Sequence, residues 1–192
     1  MVSISSVSYP LADMPDANIR EIDYSSERKL NKKVLEQLST NDYIKKHRNV
    51  VLLGTCGTGK SYICNALGNH AYDECFSVLY CRLFEFLSEA NTEKIMNGEA
   101  TKTISRYAKP DVLIIDDFLI HEITESETAQ LFKVLEYRYG QKSTIIGSQV
   151  EPKEWHKNLG GYVLADSILD RILPNSYKLI LSGASLREQE EK

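Results

Sequence analysis

Gly54-Thr55-Cys56-Gly57-Thr58-Gly59-Lys60-Ser61 reads G-x-x-x-x-G-K-S, the pattern of a loop that cradles phosphate. The apolar run Val50 to Leu53 precedes it, and an apolar-periodic segment from Ile63 to Ala71 follows. Strand, glycine-rich turn and helix is the context in which this pattern has mechanical meaning. Glycines at 54, 57 and 59 let the backbone curl and turn several N–H groups toward one phosphate. A helix opening at Lys60 adds the positive end of its dipole. Lys60 is then placed for the β- and γ-phosphates, and the Ser61 hydroxyl for Mg²⁺. The ligand implied is a nucleoside triphosphate. The competing reading, a glycine-rich turn that binds nothing, has to ignore both flanks.

Outward from the loop, strands alternate with helices. Ser77–Arg82 (SVLYCR) reads as a second strand, and Val112-Leu113-Ile114-Ile115 as a strand buried on both faces. Ser143–Ser148 gives a fourth strand and Tyr177–Leu181 a fifth. Helices are expected over 26–38, at 41–46, over 60–72, 83–90 and 100–108, over 125–139 with Gly140 ending it, and around 153–157 and 163–173. The alternation predicts an α/β fold with a central parallel five-stranded sheet flanked by helices. Residues 1–18 read as a flexible leader, 19–187 as the core, and 188–192 as a charged tail.

The third strand delivers Asp116 and Asp117 to the C-terminal edge of the sheet, where open α/β folds bind ligands. The first acid suits the Mg²⁺ shell beside Ser61; the second suits a base or orienter for attacking water. A strand-end Asp pair that merely caps a turn is the plainer alternative.

The chain has 192 residues, 42% hydrophobic and 26% charged, as for one soluble globular domain. No apolar run approaches the ~20 residues of a membrane helix. Residues 1–14 lack the basic start and apolar core of a secretory signal, so a cytoplasmic location is expected. Cys56, Cys64, Cys75 and Cys81 have no metal or redox spacing and read as reduced thiols. The net charge of −4 excludes a coat of positive potential, not a local strip. Lys29, Lys32, Lys33, Lys45, Lys46 and Arg48 form one such concentration, with Lys94, Lys102, Arg106 and Lys109 later. Such clusters are often only solvated faces.

Several stretches together resemble the AAA+ ATPase core of the IstB-like transposition helper proteins, relatives of the DnaC-type helicase loaders. They are NVVLLGTCGTGKS (49–61), DVLIIDDF (111–118), LEYRYGQKSTIIGSQ (135–149), EW (154–155), LADSILDR (164–171) and GASLR (183–187). The resemblance covers about residues 19–187. It implies a P-loop NTPase without a separate lid domain. ATP and Mg²⁺ would be the cofactors, with ATP held between subunits of a homo-oligomer. The implied partners are duplex DNA, bound without sequence reading, and a transposase. A helicase loader serving a replicative helicase, or a non-hydrolysing scaffold, are the alternatives.

By the same resemblance, Ser148 takes the sensor-one position, contacting the γ-phosphate, with Gln149 beside it. An ordinary strand-end hydroxyl is the alternative. Arg171 takes the place of an arginine finger offered to a neighbour's nucleotide, or else pairs within its own chain with Asp170 or Asp166. Arg187 matches a sensor-two-like phosphate contact, and Arg138 is either structural or interfacial. Leu119 stands where the family commonly has glycine, and Cys56 replaces a more usual glycine or proline. Members also carry a further N-terminal domain, where only a short leader precedes the core here. The run Trp155 to Gly160 leans toward the transposition branch.

Overall fold

A computed structural model describes residues 14–22 and 30–183. Five parallel strands build the sheet: β1 (Asn49–Leu53), β2 (Val78–Arg82), β3 (Val112–Asp116), β4 (Ser143–Ser148) and β5 (Ser176–Ile180). Their spatial order is β2-β3-β4-β1-β5. The expected fold is therefore present, with a refinement of placement. β2 lies between the loop strand and the acidic strand in sequence but at the edge in space. β4 separates β1 from β3.

Side chains alternate between two core layers, as the pleat requires. Val50 and Leu52 face one layer with Ile114 and Ile145, while Val51 faces the other with Leu113, Ile115 and Ile146. The first layer is closed by α1 (Lys32–Leu38), α2 (Asp42–Lys45) and α3 (Lys60–Asp73). The second is closed by α4 (Leu83–Asn97), α5 (Thr101–Ala108), α6 (Glu125–Arg138), α7 (Pro152–Asn158) and α8 (Val163–Ile172). With both faces covered, β3 and β4 are buried along their whole length, and Val112–Ile115 of β3 accordingly reads as a continuous apolar run.

Two expectations change. The helix expected over 83–90 runs on to Asn97 and stops at Gly98, whose φ is 79°. Its last turns carry no core-facing stripe, since Ile95 and Met96 are exposed, so hydrophobic periodicity could not reveal them. They are held by side-chain bonds from Asn91 to Glu127 and from Lys94 to Ser126. Residues 14–18, expected in the flexible leader, lie along α3, where Asn69 donates to the carbonyls of Met14, Pro15 and Ala17. Residues 1–13 and the expected helix start at 26 lie outside the described residues, as do Lys29, Arg187 and the tail.

Arg138 proves structural. It is 2% exposed, and its guanidinium donates to the carbonyls of Ala108, Pro110 and Ser143 and to Thr144 Oγ1. One planar fork thus ties the end of α5 to the starts of β3 and β4.

Candidate nucleotide site

β1 ends at Leu53, and the loop 54–59 carries the chain into α3. Gly57 and Gly59 have φ of 76° and 92°, the left-handed conformation that turns the backbone back on itself. No side chain caps the N-terminus of this 14-residue helix, so its first N–H groups are left to a ligand. Thr58 closes the loop by donating to the Thr55 carbonyl at 2.8 Å, and Thr55 and Cys56 lie exposed on its outside. Lys60 is 7% exposed, with its Nζ on the same Thr55 carbonyl at 2.8 Å. Burial pulls its ammonium below the usual lysine value, and the Asp116 carboxylate opposes that pull. A buried cation held only by a carbonyl suits an incoming phosphate.

Asp116, the last residue of β3, is 2% exposed. Its Oδ1 accepts the Asp117 N–H at 2.9 Å and its Oδ2 accepts the Tyr80 hydroxyl at 3.1 Å. Gly147 makes room for it: a Cβ there would come within 2.4 Å of Oδ1. That close approach explains a glycine inside an otherwise β-branched strand. A hydroxyl at Ser61 and this carboxylate form the hard-oxygen donor set that Mg²⁺ accepts when phosphates complete its shell. Among the described residues there is no cluster of three or more acidic, His or Cys side chains.

Asp117 and Leu119 both take φ of 51°. The left-handed φ at Leu119 is the conformation glycine adopts without strain, which gives the family's preference there a physical basis. Leucine is tolerated because its side chain is fully buried and the loop is held on every side. Phe118 N–H donates to Gly147 O, Asn158 donates to Leu119 O, and the Phe118 ring packs edge-on against Trp155 at 4.9 Å.

Ser148 belongs to that scaffold, which corrects the sensor-one expectation. Its fully buried hydroxyl donates to Phe118 O at 2.7 Å and accepts from Trp155 Nε1 at 3.3 Å and Val150 N–H at 3.1 Å. It pins the acidic loop instead of facing it. Gln149, the next residue, is the first exposed side chain past β4, at the edge between the phosphate loop and the acids. The signal that finds it is strand parity. Trp155 is likewise a core residue, fully buried.

Arg171 lies at the opposite edge of the sheet. Asn49, the first residue of β1, donates to the Arg171 carbonyl at 3.0 Å, so this arginine cannot serve its own chain's phosphate loop. Its guanidinium pairs with Glu136, not Asp170 or Asp166, donates to Ser167 O, and stacks 4.8 Å from the Phe132 ring and 5.7 Å from that of Tyr139. Part of the basic concentration is ion-paired within the chain: Lys32 with Glu36, Lys45 and Lys46 with the single carboxylate of Asp42, and Arg106 with Glu89. All four cysteines are unpaired, and burial pushes the Cys64 thiol well above its usual value. No helix among the described residues is long and apolar enough to cross a membrane.

The chain matches the family described as IstB-like ATP binding protein over residues 7–192. It is 36% identical over 175 residues to an insertion-sequence ATP-binding protein of Sinorhizobium fredii, covering 90% of this chain and 70% of that one. A second protein of that description from the same organism is 35% identical, covering 83% and 64%; one from Pseudomonas aeruginosa is 30% identical, covering 91% and 65%. The chain thus spans about two thirds of these relatives' length. Among solved structures, DnaI superposes with a TM-score of 0.71 at 18% identity, covering 88% of this chain and 93% of that one. The DnaC helicase loader gives 0.69 at 14%, covering 89% and 100%. The replication initiator DnaA bound to AMPPCP and single-stranded DNA gives 0.68 at 20%, covering 86% and 50%. These likenesses establish the AAA+ form of the P-loop fold.

Proposed function

The chain belongs to the IstB-like ATP binding protein family, and from that premise we propose that it hydrolyses ATP with Mg²⁺ and assembles on duplex DNA to assist a transposase. One observation carries the reading. The uncapped helix N-terminus with Lys60, the Asp116–Asp117 pair and Gln149 all emerge at one edge of the sheet, from adjacent strands.

In this mechanism the loop N–H groups of residues 54–59 and Lys60 take the phosphates, and Lys60 leaves the Thr55 carbonyl for an anion. Ser61 and Asp116 would hold Mg²⁺, which when bound would supply charge neutralisation on the phosphate oxygens. Asp117 orients the attacking water and accepts its proton. Gln149 supplies the polar contact to the terminal phosphate that Ser148, turned inward, does not. Arg171 acts in trans on the nucleotide of a neighbouring copy, and its position at the far edge from its own loop supports that assignment. A guanidinium suits the task because it is always charged and forks onto phosphate oxygens. Contact with DNA goes to backbone phosphates, so its affinity falls with salt.

The test is phosphate release with and without duplex DNA, alongside sizing by light scattering with an ATP analogue. Turnover that needs Mg²⁺ and scattering that rises only with nucleotide and DNA together are expected. Lys60→Ala should abolish nucleotide binding or turnover. An unchanged rate in that variant refutes the site. Capture of a replicative helicase in place of a transposase would move the protein to the loader branch.

A further inference from the structure

We propose that Tyr80 is a positioning residue for Asp116, its phenol fixing the carboxylate in the orientation that meets the Mg²⁺–nucleotide. This rests on the Mg²⁺-dependent reading above. Tyr80 sits in the middle of β2, in register with Ile114 of β3, and its half-buried ring packs in the layer beneath α3. Its hydroxyl reaches along the sheet to the last residue of β3, meeting Asp116 Oδ2 at 3.1 Å.

The other carboxylate oxygen is fixed differently, by the Asp117 N–H, in the space that Gly147 leaves by lacking a Cβ. The terminal torsion of an aspartate is broad, so one bond to one oxygen leaves the group free to rotate. A donor on the second oxygen, coming from another strand, removes that freedom. Each oxygen keeps acceptor capacity for a further partner. The donor type matters as well. A lysine or arginine here would neutralise the carboxylate and compete with the metal, whereas a phenol carries no charge at neutral pH. Partners that orient metal-binding carboxylates typically change metal affinity by about 10- to 100-fold when removed.

Tyr80→Phe keeps the packed ring and removes only the hydroxyl. Binding of a fluorescent ATP analogue would be titrated with Mg²⁺ in the wild type, in Y80F, in D116N and in the double variant. The expected result for Y80F is a half-saturating Mg²⁺ concentration raised about tenfold. Its affinity in EDTA should be unchanged, and the D116N background should show no further shift. An unshifted Mg²⁺ dependence in Y80F overturns the proposal. So does an equal effect in D116N, or a loss of affinity in EDTA as large as that in Mg²⁺, either of which would make Tyr80 a general strut. If Y80F is also less stable, the comparison between the two backgrounds still decides. A wild type whose nucleotide binding ignores Mg²⁺ would instead sink the parent reading, and this inference with it.

Discussion

Glu136→Gln should make the protein a better ATPase at low concentration. Arg171, the candidate finger, is held by Glu136 and by two aromatic rings, with side-chain exposures of 24% for Arg171 and 51% for Glu136. An ion pair this exposed contributes about 0.5–1 kcal/mol. The two ring contacts contribute about 0.5–1 kcal/mol each. Unseating the guanidinium from its ion pair and both rings therefore costs about 2 kcal/mol, and more with its bond to Ser167 O, so it is free at most about one time in thirty. Replacing the carboxylate removes only the ion-pair part, close to 1 kcal/mol, and raises the free population about fivefold.

If trans contact needs the free arginine, ATPase rate plotted against protein concentration should shift to about fivefold lower concentration, with the plateau unchanged. The assay is steady-state phosphate release over a protein dilution series with duplex DNA. Arg171→Ala serves as the reference: it should bind nucleotide normally while losing turnover and assembly. Unchanged concentration dependence in Glu136→Gln, together with normal turnover in Arg171→Ala, would refute the reasoning.

Two further predictions concern the edge of the sheet away from the nucleotide. Arg138→Met should lower unfolding free energy by at least about 3 kcal/mol in urea, because several buried carbonyls lose their donor. A loss that scales with protein concentration would instead make Arg138 interfacial. Asp111 accepts from Ser77 N–H and Oγ and from Lys142 Nζ, at 3.0, 2.7 and 2.6 Å. Burial pushes this carboxyl up, but those three donors outweigh it and hold it below its ordinary value. A folded-state value below the unfolded one gives stability that is full above the unfolded carboxylate pKa and lost as pH falls through the folded value. Asp111→Asn should therefore cost about 1–2 kcal/mol near neutral pH and flatten the decline of melting temperature between about pH 5 and 2. An equally steep decline in the variant would remove Asp111 from the account.

The parts of this molecule legible in the sequence are those where local chemistry and global placement agree. A strand buried on both faces favours large apolar residues, so the Val112–Ile115 run of β3 announces itself. The phosphate loop is a local device, and its residues sit where its own pattern puts them. The direction of single side chains was less legible. Ser148 and Gln149 are neighbours of similar chemistry, and only the pleat of β4 against the Phe118 loop turns one inward and leaves the other exposed. Glu136 lies 35 residues from Arg171 and meets it because α6 and α8 pack together. Tyr80 reads as an ordinary strand aromatic, since its bond to Asp116 exists only through the pairing of β2 with β3. The outer half of α4 was hidden for the opposite reason: side-chain bonds hold it without an apolar stripe.

The placement of Arg171 and the phosphate loop at opposite ends of parallel strands gives each copy a head and a tail. Two copies set end to end across a dyad would bring like ends together and satisfy neither. A head-to-tail association that joins guanidinium to phosphate repeats one rotation and one translation from copy to copy. It closes into a ring only when the rotation divides a full circle with no rise along the axis, and otherwise winds on as a filament with a growing direction.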